Sequence, residues 1–323
     1  MAFHLRLPRA SPEIIQDTIR FSVMELHFRP DGALLFAILT MTLPPYRALE
    51  AAYQLHFYLG FKTPYLRPIL QTEDQRTLVT TVLDEVCSRQ QYHLLETKIT
   101  DDYLRLLVSL KPEQTVSKTV NMLKGNVSRE FGLAFRSQLD RHATRTLWAK
   151  GYFARSSGKV NLEAARRYVE KQPDHHGYRG EWTKPLKYGN PNFRSPAFSL
   201  AHCRSMLDYH LVLATQFRTP LFDEMIAPRL FDYLLVVGRK HGFAVDRISL
   251  LPDHMHLLLQ AIPSLSIYEC ALAIINNTRQ WMEKKFWGVL KQTNAWDVWQ
   301  PSFYAGTVGE YATAQVKQFL RGV

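Results

Sequence analysis

The sequence predicts an α+β fold built twice, as two fused copies of one domain with antiparallel sheets backed by helices. Three observations carry this: a repeat at near-constant spacing, the same order of elements in each repeat, and a loop-like segment between them. Asp102 to Leu110 reads DYLRLLVSL and Asp253 to Ala261 reads DHMHLLLQA. Leu147 onward reads LWAKGYFARSSG and Val298 onward reads VWQPSFYAGTVG. Asp102/Asp253, Trp148/Trp299 and Gly158/Gly309 are all 151 residues apart. Tyr53 to Pro64, YQLHFYLGFKTP, is matched with Tyr209 to Pro220, YHLVLATQFRTP. The copies span 49–172 and 206–323, joined by a linker over 173–205 rich in Pro, Gly and polar residues, and preceded by an extension over 1–48.

Within each copy the elements follow one order. An apolar strand opens it (Gln54–Gly60; His210–Thr215), and a helix follows (Gln75–Gln90; Ile226–His241) with apolar residues at helical spacing. Two strands come next (Tyr92–Ile99 and Leu104–Leu110; Ala244–Leu250 and His254–Ile262), then a longer helix (Val116–Phe131; Ser266–Phe286). A last helix closes each copy (Leu162–Gln172; Thr313–Leu320); Asn161 is the N-cap of the first and Pro173 its stop. Strand, helix, strand, strand, helix is a split β-α-β sheet. In the extension, Phe21–Phe28 and Ala33–Leu43 flank the turn-like Arg29-Pro30-Asp31-Gly32, which reads as a hairpin.

Composition narrows the function. The 323 residues are 46% hydrophobic and 12% aromatic, which excludes a disordered chain. Forty Lys+Arg against 29 Asp+Glu give a net charge of +11, which favours a polyanionic partner, nucleic acid first. Cys87, Cys203 and Cys270 lack the spacing of a zinc cage or a disulfide framework, so a reducing interior is expected. The longest apolar run, Ala33–Met41, falls short of the roughly 20 residues that span a bilayer. A cytoplasmic protein without a membrane partner is the expectation.

Two small constellations carry chemistry. His254 and His256 begin a strand, where alternate side chains share a face, so the two imidazoles project together as a two-point metal clamp. Alone, the pair reads first as two half-exposed strand histidines, and its ligand type suits zinc or copper as well as harder ions. Tyr168 and Gln172 are four apart and neighbours on one helical face. Alone, they read as a core-edge tyrosine and a solvated glutamine.

Together these elements resemble two fused copies of a TnpA-type HUH single-tyrosine transposase, a family that includes the REP-associated tyrosine transposases. The residues that carry the resemblance are PDHMHLLL from Pro252, VSKTVNMLKGNVSREF from Val116, LWAKGYFARSSG from Leu147 and RRYVEKQ from Arg166. The resemblance covers most of the chain from about residue 50 and implies a ferredoxin/RRM-like HUH domain in each copy. It also implies that His254, His256 and Gln172 hold a divalent metal, Mg²⁺ or Mn²⁺, and that Tyr168 attacks a phosphodiester of single-stranded DNA with hairpin structure. The implied product is a 5′-phosphotyrosine with a free 3′-OH, formed without a nucleotide cofactor.

Each copy departs from that pattern in a different place. Tyr103 and Arg105 stand at the first copy's histidine positions, and a guanidinium repels a metal ion. Phe319 and Val323 stand at the second copy's tyrosine and glutamine positions. In the family, two subunits pair and the tyrosine helix of one completes the histidine site of the other. A monomer acting as an intramolecular pseudo-dimer therefore has one whole composite site and one degenerate site of Tyr103, Arg105, Phe319 and Val323. With a single tyrosine, the chain either nicks and rejoins or excises through a higher assembly of two chains.

Lys124, Arg129, Arg145, Lys150, Arg155, Arg166, Arg167 and Lys171 are the candidate DNA-binding cations. Two further readings stay open: a DNA-hairpin-binding protein of the same fold that does not cut, and a metal hydrolase that uses the histidine pair without Tyr168. Tyr304 and Tyr311 are out of register as substitute nucleophiles.

Overall fold

The computed structural model describes residues 44–158, 161–170, 185–193, 198–200 and 203–309. The predicted hairpin over Phe21–Leu43 and the helix Thr313–Leu320 lie outside the described residues. In the first copy the elements run β1 (Glu50–Gln54), β2 (His56–Lys62), α1 (Glu73–Gln90), β3 (His93–Ile99), β4 (Tyr103–Ser109), α2 (Val116–Ala134), α3 (Arg136–Arg141), β5 (Tyr152–Ser157) and α4 (Leu162–Glu170). They continue β6 (Leu186–Gly189), β7 (Phe198–Leu200), β8 (Cys203–Met206), β9 (Asp208–Thr215), α5 (Ile226–His241), β10 (Phe243–Leu251), β11 (His254–Ala261), α6 (Ile267–Lys285), α7 (Trp287–Gln292) and β12 (Trp299–Val308).

Local chemistry fixes the matching helices in both copies. Thr115 caps α2 by accepting from Lys118 N, and Ser266 caps α6 in a reciprocal capping box with Glu269. α1 ends on Gln91 and α5 on Gly242, both left-handed and 151 residues apart.

Two six-stranded sheets result, in the orders β3-β4-β2-β5-β8-β7 and β1-β12-β9-β11-β10-β6. Their shared pattern is β2/β9, β4/β11, β3/β10 and β5/β12, which bears out the duplicated antiparallel α+β domain. The strands β5 and β12, which complete this pattern, are absent from the predicted element order. Their sequences, YFARSS and WQPSFYAGTV, are not cleanly alternating, because β12 is buried at most positions on both faces.

The copies exchange edges. β1, in the first copy, pairs in parallel with β12, and β8, just before the second copy, pairs in parallel with β5. One continuous stretch thus crosses from one sheet to the other at Leu55, and a second does so at Leu207, both buried. The segment 173–205, expected as a linker, contributes β6 to the second sheet and β7 and β8 to the first. The expected pairing of Tyr53–Pro64 with Tyr209–Pro220 is out by four residues. Thr63 bonds to Arg67 O and Asp102 O as Thr215 bonds to Thr219 O and Asp253 O, so the true spacing there is 152. The FKTP/FRTP likeness misled because the turn that follows is the same in shape, with Tyr65 and Leu66 matching Phe217 and Arg218 at positive φ.

The seam between the copies is close and two-fold in character. Gly158 N donates to Gly309 O at 2.8 Å. A Cβ on Gly158 would lie 2.1 Å from Thr307 O, and one on Gly309 would lie 2.3 Å from Ser156 O. Thr307 Oγ1 accepts from His56 N, and Ser156 Oγ accepts from Asp208 N, each at 2.9 Å. The main core runs through both copies, with Phe57 of one against Tyr209 of the other.

Candidate active site

The site lies on the outer face of the second sheet. Along β11, Met255, Leu257 and Leu259 join the main core, while His254, His256 and Leu258 face the other way, as strand alternation requires. Opposite them on β9 and β12 stand His210 and Tyr304. His254 and His256 are both buried, with ring centroids 5.1 Å apart.

Each imidazole is held through Nδ1. His254 Nδ1 lies 2.7 Å from Asp253 Oδ1, and Asp253 is braced by Arg218 at 2.7 Å. Burial pushes the Asp253 carboxyl up, but the hydrogen bond and charge of His254 together with Arg218 outweigh it and leave it below its ordinary value. A carboxylate at Nδ1 fixes that proton and turns Nε2 to the site. His256 Nδ1 lies 3.0 Å from Nε2 of His210, whose ring stacks on it at 5.2 Å and 14°. Burial lowers the His210 pKa to about 4, so it enters this pair neutral. Both Nε2 atoms of His254 and His256 are buried in the sheet face.

The tyrosine comes from the other copy. Helix α4 begins at Asn161, whose Oδ1 accepts from Ala164 N at 2.7 Å. Its apolar stripe, Leu162, Ala165 and Val169, packs on Leu258 and Val308 of the second copy. Arg166 locks it there, with Nε 2.8 Å from the buried Asp246 and Nη1 2.7 Å from Glu163. Tyr168, 41% exposed, is thereby set with its ring 5.9 Å from His210 and 6.3 Å from His256, edge-on to both. The phenol thus stands over the imidazoles, accessible to an extended substrate.

The degenerate position differs in kind. Arg105 lies over the ring of Tyr58 at 5.3 Å, and Tyr103 occupies the strand start where His254 stands in the second copy. Gln172, Lys171, Phe319 and Val323 lie outside the described residues. Among the described residues no cluster of three or more His, Cys, Asp or Glu could hold a metal ion. The imidazole pair places two buried nitrogens, Nε2 of His254 and Nε2 of His256, on the same sheet face.

The candidate cations fare unevenly. Arg166 holds α4 in place through Asp246, and Arg155 is half-buried, its positive charge favouring the ionised carboxylate of Asp208. Arg166 thus has an internal role beside the DNA contact expected of it, because a buried carboxylate demands a partner. Lys124 Nζ bridges Ala149 O and Gly151 O at 2.8 and 2.5 Å. Arg129 pairs with Glu130, and Arg145, Lys150 and Arg167 are exposed. His210 and Asp253 escape notice in the sequence. The strand alternation of YHLVLAT was the available signal for His210, but only the register against β11 puts it beside His256.

No helix among the described residues is long and apolar enough to cross a membrane. The family profile described as "Transposase IS200 like" matches residues 51–172 and again 203–322. The ISDra2 transposase TnpA of Deinococcus radiodurans is 28% identical over 121 residues, covering 35% of this chain and 81% of that protein. A crystal structure provisionally assigned as a transposase of D. radiodurans R1 is 22% identical, covering 39% of this chain and 95% of that one, with a TM-score of 0.31. A REP-associated tyrosine transposase solved with a REP hairpin is 16% identical, covering 35% of this chain and 61% of that one, with a TM-score of 0.23.

Proposed function

This chain belongs to the IS200-like transposase family, and from that premise we propose that it cleaves and rejoins single-stranded DNA at one composite site. Tyr168 of the first copy is the nucleophile, and His254 and His256 of the second hold a divalent metal, with Gln172 as third ligand. The observation that carries this reading is the docking of α4 on the opposite copy, which sets the Tyr168 ring 6.3 Å from His256.

The reaction is a transesterification. The Tyr168 oxygen attacks the phosphorus, the bond from phosphorus to the 3′ oxygen breaks, and a 5′-phosphotyrosine forms. The phenolic proton is lost to solvent and the departing 3′ oxygen takes one up, so atoms and charge balance and the reverse attack restores the strand. No nucleotide cofactor is consumed. A bound Mg²⁺ or Mn²⁺ would draw charge from the scissile phosphate and favour attack by a phenol whose ordinary pKa is about 10. Asp253 and His210 hold the two imidazoles in the tautomer that presents Nε2. A structured single strand in the cytoplasm is the expected substrate, by family likeness.

Covalent capture tests this. Purified protein, labelled single-stranded DNA from around its own gene and Mn²⁺ are expected to give a denaturant-resistant adduct. Tyr168→Phe and His256→Ala should each lower its yield by at least about 10³-fold, while Tyr103→Phe leaves it unchanged. An adduct that survives Tyr168→Phe, or tight hairpin binding with no adduct at all, overturns the reading.

A further inference from the structure

The two copies treat one groove in opposite ways. In the second copy, the groove between α6 and the start of β12 is filled by Tyr46 from the segment before β1. The Tyr46 backbone exchanges hydrogen bonds with the Asn276 side chain, and its hydroxyl donates to Asp297 at 2.5 Å and lies 2.9 Å from Trp299 O. Arg279 lies over its ring at 4.6 Å.

The same four positions in the first copy are Gly125, Thr146, Trp148 and Ser128, each 151 residues earlier. All four line an open pocket of about 390 Å³, and no described side chain fills it as Tyr46 fills its mate. Three of the four replacements are smaller and uncharged side chains or none, which is what leaves the space. Its walls keep the aromatic rings of Trp148 and Tyr152.

Charge also differs between the grooves. Lys124 lines the open one, and Arg129, Arg145 and Lys150 directly neighbour its lining residues Ser128, Thr146 and Gly151 in sequence, while at the four matching positions in the second copy stand Ile275, Gln280, Trp296 and Pro301. The plugged groove has its own cation, Arg279, but it is buried and paired with Asp297, whereas Arg129, Arg145 and Lys150 are exposed. The plugged groove instead holds the buried carboxylate of Asp297.

We propose that the first copy's groove takes an unstacked nucleobase of a bound DNA strand, with the flanking phosphates on Arg145, Lys150 and Arg129. The Tyr46 plug closes the equivalent site, so each chain holds one such base. A planar ring with a polar edge is the shape that the mate groove accommodates, and a polyanion is the partner that the rim selects. This rests on the DNA substrate proposed above, but not on the chemistry of Tyr168.

Fluorescence of 2-aminopurine placed within a mixed-sequence single strand reads the site directly. Binding to the full chain is expected to quench it, at one base per chain. Gly125→Phe should remove the quench and weaken binding about tenfold, and because a Cβ at Gly125 meets nothing within 4 Å the ring enters the groove without displacing backbone. Lys150→Glu should weaken binding and flatten its salt dependence. An unchanged quench and affinity in Gly125→Phe overturns the proposal. A fall in Tm with affinity unchanged also overturns it, by showing that a segment of the chain itself fills the groove. Adduct formation on Tyr168, measured alongside, separates the two readings: an adduct with no loss of quench sinks only the base site, and loss of quench without any adduct sinks only the cleavage chemistry.

Discussion

On the outer face of the second sheet, His210 stacks on His256 and Tyr304 stands edge-on to His210 at 6.3 Å. On the matching face of the first sheet, Arg105 covers Tyr58, and Phe153 stands edge-on to Tyr58 at 6.4 Å. Tyr58, Arg105 and Phe153 are the mates of His210, His256 and Tyr304, so ring for ring the packing is kept while donors are exchanged for a cation and inert rings. Strand register fixes where a side chain points but not what it is. The scaffold therefore survives in both copies, while the His254/His256 pair stands in the second alone.

The sharpest test of that likeness is the seam, where the copies should respond alike. Gly158→Ala and Gly309→Ala each force a Cβ to within 2.1 and 2.3 Å of a carbonyl oxygen, and Gly309 also sits at φ 148°. Each should cost about 4 kcal/mol or more in urea unfolding. Tolerance of either within about 1 kcal/mol would break the two-fold description of the seam.

The next test should divide the copies. Arg279 is buried against Asp297 at 2.8 Å, whereas its mate Ser128 has no charge to satisfy. Arg279→Ala should cost about 3 kcal/mol by leaving Asp297 unpaired, and Ser128→Ala under about 0.5 kcal/mol. Equal costs would mean that the plugged and open grooves are equally built.

A pH series separates Asp208 from its mate His56. Burial, against the hydrogen bond from Gln260, pushes the Asp208 carboxyl up to about 6, above the ordinary 3.8. The folded state then holds the proton more tightly, so this contribution is complete below about pH 4 and lost as pH rises through about 6. Asp208→Asn should flatten that fall, which is on the order of 2 kcal/mol. A wild-type profile without such a fall between these values counts against it.

The smallest effect is expected inside the cores. Trp299 donates its indole N–H to Thr278 at 2.8 Å, while Val127 stands in Thr278's place beside Trp148, whose buried N–H has no hydrogen-bond partner among the described residues. Val127→Thr should stabilise the first copy by about 1 kcal/mol, read as a rise in Tm. A fall would show that Trp148 is oriented differently from its mate.

Much of this was legible in the sequence because it depends on local pattern. Helical spacing gave α1, α2, α5 and α6 to within three residues, and alternation put His254 and His256 on one face. What depends on distant pairing was not legible. β1 and β8 each leave their own copy for the other's sheet, and nothing in EAAYQ or CRSM states the partner. Arg166 reads as a surface cation until Asp246, 80 residues away, is brought beneath it. The four-residue slip at the first strand arose the same way, since FKTP and FRTP agree in letters while hydrogen bonds to Asp102 and Asp253 decide the register.

The crossing of the chain at Leu55 and Leu207 has a consequence for inheritance as well as for shape. In a homodimer every change of residue is made twice, and losing a histidine empties both sites. Here the halves are covalently joined and share their edge strands, so a change is made once and its partner position is untouched. Dilution cannot part them. With the composite site proposed above, each half is free to lose what the other supplies, and once both have done so neither can be inherited without its sibling.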